Sequence, residues 1–558
     1  MNFKERETQQ KLRGGYYTPL PIAELLSQWV LDQGARTILE PSCGDGVFLR
    51  ALQSRALASG LAPRLVLDAV EISAEEAAKS EQAGVLLREA GAVARVVRHD
   101  IFSWLENGGG AGRQWDAILG NPPYIRYQYF EKEQRALAEQ WFQRAGVPFS
   151  RLTNAWAALV LACIMHLKPG GSLALVLPAE LLHIQHAGGL RQFLEREMET
   201  ITLLNLRAMV FPGVLQGVIL LLARKKTDVC PTDTPEQPAR MRLVELDNLA
   251  SLATFSLDQL EHSALHGFSE TAGKWMLGLL SEEETRLLHR LRAYPAVRPF
   301  VEIARVDIGM VTGANSFFVV DQETLERFEL ASIASPMLAK SDLVRGITYT
   351  LNDHEANRQA GKAVFFLAFP ARTLAELPAP MADYISSGEA QKLQERYKCR
   401  IRAPWYVVPY TWTAEMALLK RCHHFPRLIV NELGARSTDT AYRVRLHPHN
   451  ATRARDLAFS FLNSLTFLCA ELGGRHYGGG VLELVPSEIE KLLIPLRPVE
   501  NQLFARVDTL IRQRVPLTEL LTFTDPLILG HDGLGLTNAE IQIIRNAHQR
   551  LLKRRLRT

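Results

Sequence analysis

The chain has 558 residues, of which 47% are hydrophobic and 22% charged, and its formal net charge is +4. These values exclude a disordered or fibrous protein, and the length calls for two large domains or three smaller ones. The start, Met1 to Gln10, lacks the apolar run of a secretory signal, and no uncharged apolar stretch reaches the ~18 residues of a membrane span, so a cytoplasmic protein without a membrane anchor is expected.

The six cysteines (Cys43, Cys163, Cys230, Cys399, Cys422, Cys469) are scattered and are read as reduced thiols. Cys422-His423-His424 has no second ligand pair at a fixed spacing, so it is read as structural and no metal site is assigned. Charge is uneven along the chain: residues 1–280 carry −2 and residues 281–558 carry +6. Residues 391–460 hold 13 Lys/Arg against 5 Asp/Glu, a balance that suits a polyanion such as DNA.

In chain order, the first signals are short β-branched runs alternating with helical stretches, the pattern of βαβ units around a largely parallel sheet. Strands are predicted at Thr37–Glu40, Leu65–Val70, Ala94–Val97, Trp115–Leu119, Ser172–Leu177 and Val218–Leu222. Lys225 to Arg240, with Pro231, Pro235 and Pro238, reads as a linker or a loop leaving the sheet. Near Ser281 a Glu-rich amphipathic helix opens a second region of mixed strands and loops without internal repeats. The chain ends in an amphipathic helix from Asn538 to Thr558 whose last turns carry Arg550, Lys553, Arg554, Arg555 and Arg557, cations that complement a helix C-terminus.

Chemistry concentrates at the predicted carboxyl edge of the sheet, where open α/β folds bind ligands. Glu40-Pro41-Ser42-Cys43-Gly44-Asp45-Gly46 follows the first strand, and Gly44 and Gly46 permit a tight turn and close approach to a ligand. Glu71, 25 residues beyond Gly46, ends the second strand and suits ribose hydroxyls. Asp100 ends the third and suits an adenine amino group. Without a three-glycine fingerprint, a nucleoside cofactor lacking phosphates is favoured over a dinucleotide.

Asn121-Pro122-Pro123-Tyr124, after the fourth strand, is the most specific string. An aromatic amino nitrogen is a poor nucleophile because its lone pair is conjugated. The Asn121 oxygen and the Pro122 carbonyl, made rigid by two prolines, are suited to accept both N–H bonds and turn the lone pair toward a methyl donor. Tyr124 can offer its ring face to a base.

Together with Tyr17-Thr18-Pro19 and Asp100-Ile101-Phe102, these strings resemble the ordered motifs of gamma-class N6-adenine DNA methyltransferases of the TaqI type. The resemblance is strong over roughly residues 14–225 and includes Leu167-Lys168-Pro169-Gly170-Gly171 and Val210-Phe211-Pro212. It implies a Rossmann-like class I S-adenosylmethionine-dependent methyltransferase domain at 1–245, a connecting segment at 246–284, a mixed α/β target-recognition domain at 285–525 and a basic C-terminal helix at 526–558.

It also implies that the cofactor is S-adenosylmethionine, held by Tyr17, Thr18, Pro19, Glu40, Pro41, Cys43, Gly44, Gly46, Glu71, Asp100, Ile101, Phe102, Asn121 and Pro123. Within that set Thr18-Pro19 supports the methionine part. Asn121, Pro122 and Tyr124 form the catalytic loop, and Tyr124 and Phe211 sandwich a flipped adenine in double-stranded DNA. In the second half, Gly309 to Asn315, Arg475 to Gly480 and Leu492 to Pro495 resemble turns and closing strands of target-recognition domains.

Alternatives from the same loop are methylation of RNA adenine, of another planar amide or amino nitrogen, or N4 of cytosine. A separate restriction endonuclease or other defence-system proteins are compatible partners. No nuclease motif is read in this chain.

Overall fold

A computed structural model describes residues 16–125, 129–150, 153–206, 217–227, 239–257, 260, 266–267, 275–409, 412–450, 453–477 and 479–556. The chain divides into two compact units, residues 1–279 and 280–556. Among the described residues no helix is long and apolar enough to cross a membrane.

The first unit is built on one sheet of nine strands in the order β3-β2-β1-β4-β5-β7-β6-β8-β9. Strands β1 (Thr37–Glu40), β2 (Val66–Glu71), β3 (Val93–Arg98), β4 (Trp115–Gly120) and β5 (Leu167–Pro178) are mutually parallel. Their carboxyl ends therefore share one edge. Strand β7 (Val218–Lys225) lies antiparallel between β5 and β6 (Met198–Leu206), and β8 (Arg240–Leu246) and β9 (His266–Gly267) extend the far side. This is the class I methyltransferase topology, with the expected parallel half.

Three strands escape the sequence reading, β6, β8 and the two-residue β9. β6 follows helix α7 (Gly188–Glu197) with no turn residue between them, and its Met-Glu-Thr-Ile-Thr-Leu-Leu-Asn-Leu string lacks punctuation. β8 is largely half-buried and begins where the proline-rich stretch ends, so apolar periodicity is weak there.

The helices follow from composition. Helices α1 (Leu20–Asp32), α2 (Val47–Ala58) and α3 (Ala74–Glu89) present Leu26, Val30, Leu49, Leu52, Ala83 and Leu87 to the core under β1 and β2. α4 (Ile101–Asn107) is capped by Asp100, and α5 is Lys132–Arg144. α6 (Ala155–Met165) is apolar all round and buried from Ala155 to Ile164, as a helix enclosed by protein must be.

The second unit opens with α8 (Glu282–Arg292), held by a capping box between Ser281 and Glu284. Its strands form several small sheets. One runs β10-β13-β11-β12, from Ala304–Asp307, Ala441–Leu446, Met416–Leu419 and Leu428–Val430, all antiparallel. Arg475–Tyr477 pairs with Val481–Glu483, and Leu493–Ile494 pairs with Arg298–Pro299. Such short, sequence-distant pairings leave no periodic signal.

The basic C-terminal helix, α10 (Asn538–Leu556), is integral to this unit because it packs against α9 (Ser464–Gly473). Arg555 is fully buried, and its guanidinium donates to both Glu471 carboxylate oxygens (2.7–3.1 Å), to the His423 carbonyl (2.7 Å) and to the Gly480 carbonyl. Arg555→Ala strands the buried Glu471 carboxyl and two carbonyls. A loss of about 3–5 kcal/mol is expected in urea unfolding of the full chain, whereas a loss below ~1 kcal/mol would show that the pair does not anchor the helix.

Candidate active site

The parallel half of the sheet delivers Glu40, Glu71, Asp100 and Asn121 to one edge, at the ends of β1 to β4 or just beyond. Between β1 and α2 the backbone turns through Gly44 (φ 51°) and Gly46 (φ 81°), a region that L side chains avoid. A Cβ on Gly46 would lie 3.0 Å from the Ser80 Cα and 3.1 Å from the Ala83 Cβ, so α3 closes on the turn. Ser80 secures it by donating to the Gly44 carbonyl at 2.7 Å, and the buried Cys43 donates its amide to the Val70 carbonyl at 3.0 Å. A Cβ on Gly44 would meet nothing within 4 Å.

Glu71 is oriented by backbone donors. Its two carboxylate oxygens accept from the Gly44 amide (3.0 Å) and the Ser73 amide (2.8 Å). Asp100 accepts from the Ser103 amide at 2.9 Å through one oxygen and from the Gln134 side chain of α5 at 2.5 Å through the other.

Glu40 differs from both. It is fully buried, and neither carboxylate oxygen has a hydrogen-bond partner. Burial pushes its carboxyl well above the usual carboxylate range, and the nearby Asp45 and Glu71 charges add to the effect.

Asn121 is clamped on one side only. Its amide nitrogen donates to the Tyr16 carbonyl (2.9 Å) and to the Thr18 hydroxyl (3.2 Å), while its buried side-chain oxygen has no partner. The Asn121 carbonyl accepts from Ser42 at 3.1 Å, which ties the loop to the glycine turn. Pro122 is buried and Pro123 half-buried. Tyr124 donates its hydroxyl to the Val176 carbonyl of β5 at 3.2 Å, and its ring sits 5.9 Å from that of Tyr16. Burial raises the Tyr124 hydroxyl well above its ordinary value, and the hydroxyl stays protonated.

Known proteins show the same two-part layout. Residues 3–242 match the N-6 DNA Methylase family, and residues 272–529 match the C-terminal domain of the Type II methyltransferase M.Eco57I. Type II methyltransferase M.AccI of Acinetobacter calcoaceticus is 21% identical over 498 residues, 87% of this chain and 86% of that one. M.XamI of Xanthomonas campestris pv. amaranthicola is 25% identical over 504 residues, covering 86% and 85%.

Over most of its length the chain is therefore similar to Type II DNA methyltransferases of restriction-modification type. Among solved structures, the Type IIL restriction-modification enzyme MmeI in complex with DNA superposes at TM-score 0.53 with 11% identity, over 96% of this chain and 72% of that one. The DrdV–DNA complex gives 0.51 at 13% identity, over 90% and 57%. These two likenesses concern the fold.

Within this methyltransferase, the other residues read from sequence make the following contacts. Thr18 is buried and holds Asn121, and Pro19 precedes the first turn of α1. Tyr17 is 51% exposed and donates to Glu76 at 2.9 Å. Ile101 and Phe102 are buried, with the Phe102 ring stacked on Trp141 (5.4 Å) and tilted against Phe130 (5.3 Å). Pro41 is buried, with its Cδ 3.5 Å from where a Gly120 Cβ would sit. Phe211, expected opposite Tyr124, lies outside the described residues.

Tyr16, Ser42, Ser80 and Gln134 were missed. Ser42 lies inside the glycine string and was legible there, whereas a backbone carbonyl such as that of Tyr16 leaves no trace in side-chain identity.

Gly46→Ala forces φ 81° on an L residue and drives its Cβ toward the α3 backbone. A loss of about 1–2 kcal/mol in unfolding free energy is expected, and an unchanged value in urea titration would show that α3 yields.

Proposed function

We propose that the enzyme transfers a methyl group from S-adenosylmethionine to N6 of adenine at a specific sequence in double-stranded DNA, with the target base flipped out of the helix. The observation that carries this reading is the Asn121 amide, whose nitrogen is pinned by Tyr16 and Thr18 and whose oxygen is buried and unmatched. An orphaned buried acceptor costs about 1–3 kcal/mol, so one held in a fixed direction on a catalytic loop is suited to a donor brought by substrate.

The residues fit the cofactor. The Gly44–Gly46 turn gives backbone access beside Glu71, whose oriented oxygens have lone pairs left for ribose hydroxyls. Asp100 retains acceptor capacity for an adenine amino group. Glu40 supplies a buried acceptor for the ammonium of the methionine moiety, directly or through an ordered water. Bound S-adenosylmethionine supplies an electrophilic methyl group.

In this reading the Asn121 side-chain oxygen and the Pro122 carbonyl accept the two N6 hydrogens. Both acceptors strengthen as the nitrogen leaves conjugation with the ring and its lone pair localises, which is selective support for the transition state. The Tyr124 hydroxyl bond to Val176 fixes the ring plane, so its face is set for stacking on the extruded base. No proton acceptor of raised basicity is required, because the methylated nitrogen is acidic enough to lose its extra proton to water.

The test is methyl transfer from labelled S-adenosylmethionine to genomic DNA free of adenine methylation, followed by nucleoside analysis. The expected product is N6-methyladenine within one short motif. Asn121→Ala is expected to lower turnover by about two to three orders of magnitude with cofactor affinity retained, and unchanged turnover would remove Asn121 from the mechanism.

Cofactor affinity carries a pH signature. The raised Glu40 carboxyl is protonated in the free enzyme up to its elevated pKa, and a cationic partner favours the ionised form. Binding therefore releases a proton, and affinity rises with pH until the free carboxyl is ionised. Calorimetry in buffers of different ionisation enthalpy is expected to show that release in the wild type and not in Glu40→Gln; equal proton release in both would assign it elsewhere.

A further inference from the structure

In the second unit one loop is built to be rigid underneath and bare on top. Ile308 to Asn315, which contains the glycine string noted in the sequence at Gly309 to Asn315, follows β10 at the edge of the small antiparallel sheet. Gly309 is pressed so tightly that a Cβ would stand 1.9 Å from the Thr438 carbonyl oxygen, and the next amide, of Met310, donates to the Ser437 carbonyl at 2.8 Å. Gly313 has φ +82°, and its Cβ would stand 2.9 Å from the Lys398 Cβ.

Two arginines clamp the loop through its carbonyls. Arg443, buried, donates to the Ile308 carbonyl at 2.8 and 3.2 Å, and Arg402 donates to the Val311 and Thr312 carbonyls at 2.6 and 2.7 Å. Satisfied in this way, the backbone holds its shape before any partner arrives.

The loop shows Ile308, Val311 and Asn315 to solvent, and its surround is cationic. Ile308 is 57% exposed and Val311 39%, beside Tyr397 at 65% and Ile401 at 62%. Residues 395–402 carry Arg396, Lys398, Arg400 and Arg402 against the single acid Glu395. The Trp412 ring contacts two guanidinium groups, that of Arg443 at 3.8 Å and that of the exposed Arg445 at 4.3 Å. Exposed β-branched side chains on a locked loop, ringed by unburied cations, are poor surface design for a lone protein. They match a duplex groove, with apolar tips for base edges and thymine methyls, and cations for phosphates on either side.

We infer that the Ile308–Asn315 loop and the Tyr397–Arg402 segment form the duplex-reading surface of the second unit, with Ile308 and Val311 contacting bases and Lys398, Arg400 and Arg445 contacting phosphates. This rests on the reading of the enzyme as a methylase of double-stranded DNA. The enzyme's own methylation motif, placed in a labelled duplex, and a scrambled duplex serve as probes in anisotropy titrations of the full chain across a salt series.

Lys398→Ala/Arg400→Ala/Arg445→Ala is expected to weaken both duplexes at least ~10-fold and to flatten the salt slope by up to about 3, near 0.9 per phosphate contact. Ile308→Ala/Val311→Ala is expected to weaken the motif duplex ~10-fold or more while sparing the scrambled one, and to relax the motif in methylation maps. Wild-type melting temperature and S-adenosylmethionine affinity in each variant show that the fold is kept. Folded variants with wild-type affinities, salt slope and motif overturn this surface alone. A wild-type enzyme that neither binds nor methylates any duplex, or that prefers structured RNA, overturns the parent reading as well.

Discussion

The catalytic unit turns on how one amide is held. Asn121 stands just beyond β4, and its side chain is fixed because two acceptors from the segment ahead of α1, the Tyr16 carbonyl and the Thr18 hydroxyl, take both N–H directions. A carboxamide with its nitrogen satisfied on one side has no freedom to flip, so its oxygen points one way permanently. The segment that the family resemblance links to the cofactor thus also sets the direction of the Asn121 side-chain oxygen. Ser42 couples the same loop to the glycine turn, and Tyr124 couples it to β5. The loop is therefore braced from three elements before anything binds.

The legible parts of this arrangement were those written in local pattern. β1 to β5 announce themselves as β-branched runs closed by turn residues, and a parallel sheet then places Glu40, Glu71, Asp100 and Asn121 on one edge without further information. What stayed hidden was contact between distant residues. The donor on Asp100 is Gln134, 34 positions later, and the acceptor for Asn121 is a main-chain oxygen 105 positions earlier. Phe102 was legible as part of the motif, but its buried partners Trp141 and Phe130 belong to segments that carry no motif.

The second unit was opaque for a related reason. Its sheets are made of strands two to six residues long joined over large sequence separations, so neither period two nor period 3.6 persists long enough to be read. Glycine was the exception. Gly309 and Gly313 mark close approaches that no other residue permits, and the string that resembles a turn in the sequence is a locked loop in the structure.

The distribution of unmatched groups carries the last step. Around the sheet edge, polar atoms are paired with care: both oxygens of Glu71 and Asp100, the amide nitrogen of Asn121 and the hydroxyl of Tyr124 all have partners. Against that background the two Glu40 oxygens and the Asn121 side-chain oxygen are exceptions, and ionised Glu40 and Asn121 both offer acceptors. Each is destabilising by about 1–3 kcal/mol in a folded chain, and a hydrophobic isostere would relieve it. Under the proposed function these oxygens are matched by N–H donors, one set at Glu40 and another at the Asn-Pro-Pro-Tyr loop. In the proposed reaction an ammonium-bearing cofactor and an exocyclic amino group are that pair of donors, and the cost of keeping their acceptors unpaired would be relieved when both are present.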